Sequence, residues 1–83
     1  MPMIDENAYG EYIDFITSQP TMEQILDFRP SLQTRKRVRY LMNGKLQKSL
    51  TQDEMLELEE YYKATRFLHQ LKQRAQRRLE TLQ

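Results

Sequence analysis

Cysteine is absent from this chain, histidine occurs once, glycine twice and proline three times. Without cysteine there is no disulfide, no thiolate metal ligand and no cysteine nucleophile, a usage that fits a reducing cytoplasm. Two glycines, Gly10 and Gly44, cannot build a glycine-rich phosphate loop, and His69 alone cannot anchor a metal cluster, so it reads as a surface histidine. No run approaches the roughly 18 apolar residues of a membrane span. The first residues carry Asp5 and Glu6 and no long apolar run, so they do not read as a secretory signal. Asp53, Glu54, Glu57, Glu59 and Glu60 spread around a helix instead of converging, and the Ser and Thr residues sit at helix caps instead of beside a base. The expectation is a non-enzymatic chain with no catalytic residue, no cofactor, no metal and no membrane association.

What is present is the material of a small helical bundle. Eighty-three residues make one domain, and a chain of this length buries roughly 60% of its unfolded surface. Three Phe and five Tyr supply most of the bulk for its core. Pro20, Pro30 and Gly44 divide the chain into four segments.

Apolar residues from Ile4 to Ile16 recur at three and four, which predicts a helix over 5–18 with Asp5 as N-cap. Gly10 weakens it by about 1 kcal/mol. Thr21 with Gln24 reads as a capping box opening a short helix over 22–28, which Pro30 then ends. Ser31 caps a third helix over 31–43, with Gly44 as its left-handed C-terminal residue and a loop over 44–50. Thr51 with Glu54 forms a second capping box, flanked by Leu50 and Met55 as a hydrophobic staple. From there the pattern runs without Gly or Pro over 52–82, about 46 Å of helix. The fold expected is all-α: a small bundle of three to four helices in a single domain over 1–83, with a long C-terminal helix.

The net charge of +1 hides a blockwise pattern. Residues 1–28 are acidic without a base, 29–48 basic without an acid, 51–62 acidic, and 63–83 basic apart from Glu80. One reading is internal: a basic helix and an acidic helix choose each other, each exposed pair contributing only about 0.2–1 kcal/mol. The other is that a basic block faces an acidic partner or a nucleic acid.

The string Pro20-Thr21-Met22-Glu23-Gln24-Ile25-Leu26-Asp27-Phe28-Arg29-Pro30-Ser31, then Leu50-Thr51 before a run of acids, then Leu71-Lys72-Gln73-Arg74-Ala75, resembles a family of small, largely uncharacterised helical proteins of bacteria, common in cyanobacteria. The resemblance covers roughly residues 15–80. Some members are described as antitoxin-like, so it implies a cytoplasmic protein-interaction module, an antitoxin-like partner of a nuclease toxin. Where relatives tend to carry an acid–histidine pair in the middle of the last helix, this chain has Tyr62 and Lys63.

The length of the last helix suggests where a partner sits. A third helix of about 20 Å covers less than half of it, so the first three segments are expected on its first half. Its second half is left to another protein or to a second copy, as a homodimer. The partner-binding residues expected are Leu71, Arg74, Ala75, Arg78, Leu79 and Leu82, an i, i+3, i+4, i+7 stripe suited to a groove. The alternative is a small nucleic-acid-binding helical protein using Arg35, Lys36, Arg39, Arg74, Arg77 and Arg78.

Overall fold

The computed structural model describes the backbone of residues 7–82 and the side chains of 7–81. Among these residues the chain is all-helical: α1 (Gly10–Thr17), α2 (Met22–Asp27), α3 (Leu32–Gln47) and α4 (Gln52–Leu82). No described helix is long and apolar enough to cross a membrane.

Each helix start has a local cause. The Asn7 carboxamide oxygen accepts from the amides of Tyr9 (3.1 Å) and Gly10 (2.6 Å), an Asx turn just ahead of α1, which begins at Gly10. The expected start at residue 5 is therefore too early, and Asp5 as N-cap lies outside the described residues. Thr21 and Gln24 form the capping box of α2 through bonds of 3.1 and 2.9 Å. Phe28 then turns extended ahead of Pro30, so α2 stops at Asp27. The Ser31 hydroxyl accepts from the Thr34 amide at the head of α3. Thr51 and Glu54 close the box that opens α4, again at 3.1 and 2.9 Å.

The end of α3 departs from expectation. The helix continues through Gly44 to Gln47, and Lys48, not Gly44, takes the left-handed conformation (φ 56°, ψ 38°). The amide of Ser49 bonds back to the Gly44 carbonyl at 2.9 Å and that of Lys48 to the Lys45 carbonyl at 3.2 Å, which is Schellman closure. Gly44 serves another purpose: a Cβ there would run into Leu50 Cδ2 and approach Leu50 Cγ to 3.0 Å. The glycine lets the returning chain lie directly on α3.

Two apolar clusters line α4 and share Tyr61. Ala8, Leu41 and Leu58 form one, flanked by Val38, Met42, Leu50 and Tyr62. Tyr12, Ala64 and Leu68 form the other, flanked by Phe15, Ile25 and Phe28. In the second, Phe28 packs its ring 4.4 Å from Phe15 and 5.3 Å from Tyr12, and Tyr61 meets Tyr12 edge-on at 5.7 Å. Such ring contacts add about 0.5–1.5 kcal/mol each beyond burial. Burial pushes the Tyr12 hydroxyl up to about 12.

The layout differs from three elements gathered on the first half of α4. α2 packs more extensively on α4 than α1 or α3 does, and it reaches the second half. Ile25 and Phe28 reach the Leu68 cluster, and Lys72 Nζ donates to the Phe28 carbonyl at 3.3 Å. The molecule measures 49 × 31 × 19 Å, its longest dimension close to the length of α4.

Candidate interaction surfaces

Glu57 organises the charged side of the scaffold. Its carboxylate accepts from Arg37 Nη2 (2.8 Å) and Nε (3.0 Å), and from the Ala8 amide (2.7 Å). The Arg37 bonds chiefly hold the Glu57 carboxyl below its ordinary range, against the effect of partial burial. Nearby, the Tyr40 hydroxyl donates to Glu54 at 2.7 Å. The Thr51 amide bond, then the Tyr40 hydroxyl, lower the Glu54 pKa. The acidic start of α4 thus does attract the basic α3, at one bidentate pair.

Beyond Arg37 and Lys63, which pair with Glu57 and Glu60, the candidate bases are not consumed this way. Arg35, Lys36 and Arg39 on α3, and Arg74, Arg77 and Arg78 on α4, are exposed. None of these six forms an ion pair among the described residues. Arg74, Arg77, Arg78 and Thr81 line an open depression of about 580 Å³ on the last turns of α4. A second hollow, about 460 Å³, lies between Leu26 and the His69–Glu80 stretch, with Lys72 and Gln76 on its wall. His69 is exposed at that hollow, and no three His, Asp or Glu residues gather as a metal-holding group among the described residues.

The expected partner stripe is divided by the fold. Arg74 and Arg78 are exposed, Leu71 and Leu79 are half-buried, and Ala75 is buried at 4% exposure. Ala75 therefore faces its own chain, on the half of α4 expected to stand bare. The side chain of Leu82 lies outside the described residues.

One surface had no signal in the sequence. At the α3–α4 junction a hollow of about 120 Å³ is lined by Lys45, Leu50, Met55, Leu58, Glu59 and Tyr62. Lys45 Nζ lies 5.3 Å from the centre of the Tyr62 ring, and the Tyr62 hydroxyl donates to Met42 Sδ at 3.4 Å. Leu46, the next residue after Lys45, is 82% exposed, and Met55 is 58% exposed. Leu50 and Met55 do border one space, but Leu50 seats on Gly44 while Met55 faces outward, so the staple is loose. Reading residues 44–50 as loop deprived Leu46 of a face, since only a continuing helix aims it.

Comparison with family models, with curated proteins and with solved structures returned no match.

Proposed function

We propose that this chain is a non-enzymatic protein-interaction module that works in the bacterial cytoplasm as an antitoxin-like partner of a nuclease toxin, with the second half of α4 as its contact surface. The observation that carries the reading is the guanidinium cluster Arg74, Arg77 and Arg78, which has no ion-pair partner among the described residues and stands beside half-buried Leu71 and Leu79. Positive charge next to partly covered leucine suits a protein surface with acidic and apolar patches, since such interfaces combine an apolar centre with a charged rim and favour Arg. Exposed Glu23, Asp27 and Glu80 lie on the neighbouring turns and helix, where they would repel a phosphate chain. The contact set contracts to Leu71, Arg74, Arg78 and Leu79.

The test is co-expression of the full chain with the product of the gene beside its own, assayed for nuclease activity. Co-purification and suppressed nuclease toxicity support the reading, and Arg74→Glu/Arg78→Glu should abolish both. Binding that survives this double reversal, or a wild-type chain that neither binds nor neutralises the nuclease, removes the proposal.

A second reading is nucleic-acid binding through the same cluster with Arg35, Lys36 and Arg39, favoured by the absence of ion-pair partners for all six bases among the described residues. Its signature is a gel shift at low salt that weakens steeply as salt rises, the slope reporting the number of phosphate contacts. No shift at low salt disposes of it.

A further inference from the structure

The hollow at the α3–α4 junction carries a projection, a recess and charges of both signs within one patch. Its floor is Leu50, Leu58 and Tyr62, and exposed Lys45 and Glu59 border it. Leu46 is the projection. It lies one helical turn beyond Met42, which Tyr62 contacts, so it stands on the same side of α3 as the recess. At 82% exposure it adds almost nothing to the core of its own chain. The recess of about 120 Å³ equals roughly four water volumes, the scale of an isobutyl group.

A two-fold interface demands that every feature find its complement inside the same patch. This patch meets that demand twice: the Leu46 side chain against the recess, and Lys45 against Glu59. A partner of unrelated sequence requires neither match. We propose that a second copy of this chain docks here, with Leu46 of each copy seated in the other's recess and Lys45 of each facing Glu59 of the other. This rests on the reading of the chain as an interaction module and supplies the partner for a face that reading leaves uncovered. The second half of α4 in each copy then stays free for a different protein. A net charge of +1 sets little repulsion against pairing. The patch is small, so the dimer is weak and reversible, with Kd in the range of about 10 µM to 1 mM.

The test is sedimentation equilibrium of the full-length purified chain across that concentration range. Wild type should show a monomer–dimer equilibrium. Leu46→Asp should weaken it at least about tenfold with an unchanged far-ultraviolet circular dichroism spectrum. Lys45→Glu should weaken it too, and Lys45→Glu/Glu59→Lys should restore it, a rescue that a folding defect would not produce. Leu32→Asp, at the opposite end of α3 and also exposed, should dimerise like wild type. A monomer at every concentration, a dimer indifferent to Leu46→Asp, or a charge exchange without rescue each overturns the proposal. A monomeric chain would mean that any occupant of the recess is another protein, and it leaves the nuclease experiment standing, because that experiment reads a different partner.

Discussion

The Glu57 carboxylate takes three hydrogen bonds, two from Arg37 and one from the Ala8 amide, and so joins the N-terminal segment, α3 and α4 at one point. Its side chain is only 12% exposed, so losing these bonds strands donors away from water. Glu57→Gln should cost about 1–3 kcal/mol in urea denaturation. The pH dependence has a definite sign. Arg37 chiefly lowers the Glu57 pKa in the folded state, so the stabilisation is fully present above the unfolded value, about 4.3, and is lost as pH falls through the folded one. Glu11 titrates in the same direction. Burial opposes its charge, but bonds from the Ser31 amide and the Thr34 and Ser31 hydroxyls outweigh it. Urea midpoints should therefore fall from pH 5 toward pH 3, less steeply in Glu57→Gln. Identical slopes in both proteins would refute the role given to Glu57. Nothing in the chain distinguished Glu57 from its four acidic neighbours, because its partners lie 20 and 49 residues away.

At the level of single elements, the contact between Gly44 and Leu50 sets the return of the chain from α3 to α4. Gly44→Ala gains about 1 kcal/mol of helix propensity, and the new methyl displaces Leu50. The two effects should nearly cancel in the wild type. In a Leu50→Ala background the same substitution should stabilise by about 1 kcal/mol, giving a coupling of that size in a double-mutant cycle of urea denaturation. Strict additivity would show that Leu50 does not constrain Gly44. Helix starts were readable here because each capping partner sits three residues from its mate, at Thr21 and Gln24 and at Thr51 and Glu54. The end of α3 was not, because Gly44 answers to a tertiary contact and Lys48 carries the left-handed turn without a compositional mark.

For the molecule as a whole, the issue is how a 31-residue helix is covered by shorter ones. α2 is six residues long, yet it reaches the second half of α4, where Ala75 is buried and the guanidinium cluster stays outside. Ala75→Glu should then destabilise the isolated chain by about 2–4 kcal/mol, since a carboxylate would enter an apolar contact. Urea denaturation of the purified protein measures this. A stable Ala75→Glu chain would mean that the second half of α4 is open to an outside partner, as helix lengths alone suggest. The exposure of the basic residues was legible in the charge blocks. The burial of Ala75 was not, because side-by-side lengths say nothing of which short helix lies where.

Local chemistry determined the helical class, the unbroken C-terminal helix and the caps of α2, α3 and α4, because period, capping and breaker residues act within a few positions of one another. Tertiary structure alone decided that Arg37 is neutralised, that Gly44 lies within a helix, that Ala75 is buried, and that Lys45 borders a recess. Each of these depends on pairs distant in the chain and close in space, so no local pattern encodes them.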